Sequence, residues 1–143
     1  MPDGLSISIP GSPSARLGKS AGGHWRTRRA AWNNALETGL VLWREALAPY
    51  PDHIPWQRVH VEVMQFWCGK PLDRDNLLGR MGAYLDAGQA ERIIETRNGP
   101  VLRPGAGVFK DDGPDCVQSL TTRYERVRRR AEARVVLTVR RLS

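Results

Sequence analysis

The sequence predicts a small α/β (α+β) domain in which a mixed or antiparallel sheet of about four strands packs with two main helices. Two stretches carry the 3.6-residue period of an amphipathic helix, and several others alternate apolar and polar residues as half-buried strands do. The chain has 143 residues, so we expect one domain over residues 1–143 with a hydrophobic core of its own.

The two helices are predicted over residues 26–47 and from Asp75 to about Ala87. In the first, apolar residues recur at helical steps along one stripe: Trp25, Trp32, Leu36, Leu40, Trp43 and Leu47. In the second, one side is lined by Leu77, Leu78, Met81, Tyr84 and Leu85. Gly79 and Gly82 interrupt that helix, and glycine there indicates close approach of something bulky: DNA backbone, a partner subunit or a neighbouring strand.

Strands are predicted on both sides of these helices. The first covers residues 5–9, and the clearest covers 56–67, where Val59, Val61 and Val63 face one way. Residues 92–107 form either a small hairpin around Asn98–Gly99 or a loop. The last two β-type runs, 116–127 and 134–142, are expected to pair with each other as an antiparallel hairpin.

The charge balance favours a polyanionic partner. Lys plus Arg number 22 against 15 for Asp plus Glu, a net charge of +7, and most of the positive charge is arginine, whose planar fork suits phosphate. Nucleic acid is the first candidate and an anionic membrane surface the second. The candidate phosphate contacts are Arg16, Lys19, Arg26, Arg28, Arg29, Lys70, Arg80, Lys110, Arg128, Arg129 and Arg130.

Composition also excludes several classes of protein. No apolar run is long enough to span a bilayer, and residues 1–14 lack the basic and apolar regions of a secretory signal. The two cysteines, Cys68 and Cys116, are interpreted as free thiols in a reducing cytoplasm, because no secretory cue supports a disulfide. We therefore expect a cytoplasmic protein with no membrane partner.

Two acidic pairs stand out against the basic background, and both lie at boundaries of regular structure. Asp73 and Asp75 come at a predicted helix start, and Asp111 and Asp112 precede a Gly–Pro turn. Carboxylates are the ligands that magnesium prefers, so two pairs meeting in space would form a metal site. Local roles are the alternative: Asp75 is a good N-cap, Asp73 could pair with Arg74 or Lys70, and Asp112–Gly113 is a common turn pair.

The stretch "DRDNLLGRMGAYLDAG", followed after a gap by "GVFKDDGPDCV", resembles the RusA family of Holliday junction resolvases. The family signature is Asp-x-Asp-Asn-Leu at a helix start, a helix ending near Asp-x-x-x-Gly, an Asp–Asp pair and then two strands. The opening "SISIPGSPSARLGK" is similar to the family's first strand and Pro-rich loop. The resemblance spans nearly the whole chain, with the elements in the same order.

The resemblance implies a small RusA-like fold and a crossover junction endodeoxyribonuclease, a phosphodiester hydrolase of recombination and repair encoded by a bacterium, phage or prophage. Asp73, Asp75 and Asp112 match the essential metal-binding carboxylates, Asp111 matches the less critical first member of the pair, and Asn76 matches a supporting asparagine. Mg²⁺ is the implied cofactor, with Mn²⁺ as its substitute. A homodimer that cuts four-way DNA symmetrically is the implied assembly.

The sequence departs from the family in two places. Gly79 stands where the family has a lysine implicated in catalysis, and Lys70 or Lys110 is the candidate to supply the missing charge. The segment between the helix and the Asp–Asp pair is also longer. A branched-DNA-binding protein that does not cut is therefore the alternative function, and a basic regulatory protein whose acids are only caps and turns is a third.

Overall fold

The computed structural model describes residues 1–18 and 24–142. Six strands and two α-helices follow each other along the chain: β1 Gly4–Pro10, α1 Trp25–Leu47, β2 Val59–Trp67, α2 Arg74–Gly88, β3 Arg92–Thr96, β4 Gly99–Arg103, β5 Val117–Arg126 and β6 Arg134–Arg141. Two short 3-10 helices cover Ala15–Leu17 and Arg130–Glu132. Both predicted helices are confirmed.

Four strands form one mixed sheet in the order β1-β6-β2-β5. β6 is antiparallel to both β1 and β2, whereas β2 and β5 are parallel and are connected through α2. This arrangement confirms the predicted fold class of two main helices with a sheet of about four strands. β3 and β4 form a separate two-stranded hairpin, so the hairpin alternative for residues 92–107 is the correct one.

The prediction that the last two strands pair with each other is wrong, because β2 lies between β5 and β6. β2 places Val59, Val61 and Val63 in the core with no exposed surface, and the residues of β6 alternate in the same way. All ten residues of β5 are half-buried or exposed. The two apolar strands therefore occupy the centre of the sheet, where they bury most surface, and the polar β5 takes the edge.

The apolar stripe of α1 forms much of the core, with one correction. Trp43 is fully buried, whereas Trp25 retains 53% of its surface. Trp25 opens the helix, and its ring stacks on His24 and lies under the Arg26 guanidinium instead of reaching the core. From Trp32 onward the stripe packs on the core, with Leu40 and Trp43 buried and Trp32, Leu36 and Leu47 half-buried.

α1 and α2 run side by side in the same direction and approach closely at glycines. A Cβ atom added to Gly82 would lie 3.0 Å from the Trp32 ring, and one added to Gly39 would lie 2.8 Å from Cβ of Ala87. Further along both helices, Trp43 Nε1 donates a 2.9 Å hydrogen bond to the carbonyl of Tyr84. The bulky neighbour expected beside Gly82 is thus a tryptophan of this chain.

Candidate functional site

Asp73 is the N-cap of α2. Its carboxylate accepts hydrogen bonds from the backbone N–H of Asn76 at 2.9 Å and from Asn76 Nδ2 at 3.0 Å. The sequence interpretation gave the cap to Asp75, which instead lies inside the first turn of the helix. Asp73 takes the cap because its backbone is extended, with ψ of 165°, which is the conformation that lets a side chain reach back to the third helical N–H.

Asp75 projects from the first helical turn as an exposed carboxylate. Within the part of the chain that the structure describes, it makes no hydrogen bond or ion pair, whereas both oxygens of Asp73 accept bonds from Asn76. The free N–H groups of a helix start interact favourably with a negative charge in the first turn. Asp75 is thus the carboxylate of this pair that no hydrogen-bond donor of the described residues engages.

Asp111 and Asp112 lie in the loop between Phe109 and β5. Asp111 accepts a 2.9 Å hydrogen bond from the backbone N–H of Gly113, so this aspartate shapes the turn, and Asp112 is exposed. Backbone hydrogen bonds from Ala90 to Phe109 and from Lys110 to Trp56 hold the loop beside the C-terminal end of α2 and the start of β2.

The two acidic pairs lie at opposite ends of α2. This helix has 15 residues and is therefore about 22 Å long. Asp73 and Asp75 lie at its first turn, and Asp112 is close enough to Asp86, near its last turn, to influence the ionisation of Asp86. The structure does not bring Asp111 and Asp112 together with the other pair within one chain.

The residues of one chain therefore do not fit the expected magnesium site. Among residues 1–18 and 24–142, no three His, Cys, Asp or Glu side chains are placed to hold one metal ion. Mg²⁺ requires octahedral oxygen ligands at about 2.0–2.1 Å, and aspartates separated by the length of a helix cannot supply them together.

Asp86 is a carboxylate to which the sequence interpretation gave no role. It accepts a hydrogen bond from Gln89 Nε2 at 3.0 Å and pairs with Arg103 of the hairpin at 3.5 Å. Burial raises the pKa of Asp86, and the nearby Asp112 raises it further, whereas Arg103 and Arg92 lower it. Asp86 is the aspartate of the "LDAG" stretch in the quoted motif. That position in the motif was the only feature of the sequence that could have drawn attention to Asp86.

Asp86→Asn is expected to increase the free energy of unfolding at neutral pH. Because the pKa of Asp86 is raised in the folded state, the folded chain binds this proton more tightly, and stability falls as pH rises above the unfolded pKa of about 3.9. Asn removes that loss and can still accept from Gln89. Urea unfolding at about pH 7 and about pH 3 checks this, since the advantage of the variant should vanish at the acidic pH. If Asp86→Asn lowered the free energy of unfolding equally at both pH values, the predicted stabilisation would be contradicted.

The end of the molecule that holds Asp73 and Asp75 is strongly basic, and we call it the basic end. It contains the last residues of β2 and β5, the loop after β1 and the start of α1. These segments are held together by pairing of Trp67 with Arg126 and of Pro10 with Arg134, and by the packing of Trp32 on Gly82. Nine of the candidate phosphate contacts lie there: Arg16, Arg26, Arg28, Arg29, Lys70, Arg80, Arg128, Arg129 and Arg130.

Three of the eleven candidate phosphate contacts differ from the rest in position or burial. Arg80 is half-buried and donates to the backbone carbonyl of Pro13 at 3.3 Å, so it also anchors the loop after β1. Lys110 is exposed at the opposite end of α2, beside Asp111. Lys19 lies outside the described residues. The other basic side chains of the basic end are exposed.

A scan against protein-family models and a search of curated proteins found no match to this chain. Within residues 1–18 and 24–142, no helix combines the length and apolar character needed to cross a membrane.

Proposed function

We propose that the chain is a Mg²⁺-dependent, structure-selective DNA endonuclease that resolves four-way junctions in recombination and repair by symmetric paired cleavage. Its partner is branched DNA, its active form is a homodimer, and it works in the cytoplasm of a bacterial cell as a host or phage enzyme. The motifs of this chain resemble those of the RusA family. On that basis we assign the metal-binding role to Asp73, Asp75 and Asp112.

One observation carries this proposal: an exposed carboxylate without a hydrogen-bond or ion-pair partner among the described residues lies at the basic end. Asp75 is exposed at the helix start, and nine arginine and lysine side chains occupy the same end of the molecule. Arginine and lysine hold DNA by its phosphates, and affinity then depends on counterion release. A carboxylate on a DNA-binding surface repels phosphate, so its presence there favours a chemical role.

The separation of the acidic pairs determines the form of the proposed enzyme. Asp75 and Asp86 are separated by about 16 Å along α2, and Asp112 lies near Asp86, so Asp75 and Asp112 are expected to act on one phosphodiester only if they come from two copies. In a two-fold dimer each copy then contributes Asp73 and Asp75 to one site and Asp112, with Asp111, to the other. Magnesium, with manganese as its substitute, is part of the proposal at these paired sites.

Asp75→Asn is expected to abolish cleavage of a fluorescently labelled four-way junction in Mg²⁺ while leaving junction binding intact. Even the loss of an outer-shell partner of a metal site lowers activity about 10- to 100-fold, so loss of a ligand should lower it by more. Binding is measured by fluorescence anisotropy in EDTA, and it should hold or tighten, because the variant removes a negative charge from the basic end.

Asp52→Asn is the matched control for this experiment. Asp52 is an exposed aspartate in the loop before β2, at the opposite end of that strand from the basic end, and its variant should cleave like the wild type. Binding by the wild type with no cleavage in Mg²⁺ or Mn²⁺ would support the alternative, a non-cleaving junction-binding protein. That alternative is favoured by the scattered acids of the single chain and by Gly79.

A further inference from the structure

The outer edge of β5 is the longest edge of the sheet that no described strand covers. β5 has 10 residues, lies last in the sheet and pairs only with β2. No other strand of the described ranges pairs with its outer side. The Arg74 side chain donates a 3.1 Å hydrogen bond to the Leu120 carbonyl on this edge, so Arg74 has to move aside or share that carbonyl when another strand pairs here. The opposite edge, β1, has 7 residues and ends at Pro10. Such a long edge without proline is a template for pairing with another strand.

We propose that the outer edge of β5 pairs antiparallel with β5 of a second copy, which joins the two four-stranded sheets into one of eight strands. The pairing is isologous, with the two-fold axis perpendicular to the sheet. This axis keeps the helices of both copies on the same face, so each residue lies opposite a residue of the same parity in the partner.

The edge is complementary to itself in the register centred on Thr122. Thr122 then lies opposite its own copy, and nine of the ten residues find partners without like charges facing each other. The remaining pairs are Leu120 with Tyr124, Thr121 with Arg123, Ser119 with Glu125 and Gln118 with Arg126. A shift centred on Arg123 would place that arginine opposite itself, which disfavours it.

Tyr124 and Leu120 strengthen the choice of a second copy as the occupant. Tyr124 keeps 40% of its surface exposed although its hydroxyl is engaged, donating to the carbonyls of Trp67 and Gly69 at 3.3 Å and 3.0 Å. These hydrogen bonds hold the Tyr124 side chain toward the end of β2, and the rest of the residue stays accessible. In the Thr122 register each Tyr124 is opposite Leu120 of the other copy, an aromatic–aliphatic cross-strand pair formed twice by symmetry.

This pairing also brings the Asp111–Asp112 loop of one copy to the same end of the dimer as Asp73 and Asp75 of the other copy. β5 is parallel to β2, so it starts near the Asp111–Asp112 loop and ends near the start of α2. In an antiparallel pair, the start of one β5 lies level with the end of the other. Asp112 of each copy then lies on the same side and at the same end as Asp73 and Asp75 of its partner. The catalytic meaning of this juxtaposition rests on the proposed function, whereas the strand pairing does not.

The test uses charges placed on the two-fold axis. Thr122→Asp and Thr122→Lys each put two like charges opposite each other, so each variant alone should sediment as the 16.0 kDa monomer, while the wild type should sediment at twice that mass. An equimolar mixture of the two variants should recover the dimer, because opposite charges then face each other. Thr121→Asp is the matched control, since it would lie opposite Arg123 and should remain a dimer.

Several outcomes would overturn the proposal: a wild type that stays monomeric throughout the micromolar range, Thr122 variants that dimerise as tightly as the wild type, or a mixture that stays monomeric. Circular dichroism verifies that each variant is folded. If a variant does not fold, hydrogen exchange of the wild type decides, because the β5 amides should become more protected as concentration rises and unchanged protection would refute the pairing. None of these measurements uses cleavage, so they can fail or succeed independently of the endonuclease proposal.

Discussion

Asp75→Asn and Asp112→Asn proteins, each inactive alone, are expected to regain junction cleavage when they are mixed. In one chain the two aspartates lie at opposite ends of α2, so each proposed site takes Asp75 from one copy and Asp112 from the other. A mixed dimer has one site in which both aspartates are mutated and one site in which both are intact. Neither variant homodimer contains an intact site. When the two variants exchange subunits, each mixed dimer gains one intact site.

The mixing experiment predicts both the amount of cleavage activity that returns and the type of DNA product. With equal amounts and free exchange, about half of the dimers are mixed and each carries one intact site of two, so about a quarter of the wild-type sites return. A single site cuts one strand, so a supercoiled plasmid with a cruciform should yield nicked circles with the mixture and linear molecules with the wild type. Gel electrophoresis separates these products.

Two controls make the mixing experiment decisive. A mixture of Asp75→Asn with the double variant Asp75→Asn/Asp112→Asn contains no intact site in any dimer and should stay inactive. If both aspartates of a site came from one chain, the two single variants would stay inactive in every combination. Failure to recover, in a sample where subunit exchange is demonstrated by mixed-label sedimentation, would therefore refute the two-copy site.

Trp43→Ala is expected to lower the free energy of unfolding by about 3–5 kcal/mol. Trp43 is fully buried in the core, its Nε1 donates to the Tyr84 carbonyl at 2.9 Å, and its ring lies against Gly88. The substitution removes a large apolar surface, leaves a cavity and deletes that hydrogen bond. Because small domains are stable by only about 5–15 kcal/mol, the loss should be large enough to unfold part of the population at 37 °C.

Trp25→Ala provides the matched control in the same helix. Trp25 is 53% exposed and contacts only His24 and Arg26 among the ring interactions of the described residues, so its removal should cost well under half as much. Urea unfolding followed by circular dichroism measures both variants. Equal losses for the two tryptophans would show that the whole stripe of α1 is buried in solution, contrary to the structure.

The periodicity of the sequence predicted the elements well, because both helices and the strands are defined by local patterns. The valines of β2 alternate strictly and are buried, and the stripe of α1 from Trp32 to Leu47 packs on the core. The helix cap was misplaced by two residues, since Asp73 and Asp75 are both good caps by type. Only the backbone conformation at Asp73 separates them.

Long-range arrangement was less predictable. The expected pairing of β5 with β6 failed because neighbouring strands in sequence pair often but not always, and here the most apolar strand, β2, enters between them. The basic end could not be seen in the sequence either, since it collects residues as distant as Arg16 and Arg130. The order of strands in the sheet decides which loops and helix ends lie next to each other. That order depends on which apolar faces of the strands and helices can be buried together.

The sequence by itself determined the residue types, the helical and strand periods, the net charge of +7 and the two acidic pairs. Tertiary structure alone decided that Asp73 caps a helix, that Asp75 remains free, and that Asp112 lies at the other end of α2. The physical reason is that a period or a motif is a property of a few adjacent residues, whereas the distance between two carboxylates is set by the rigid helix that runs from one to the other.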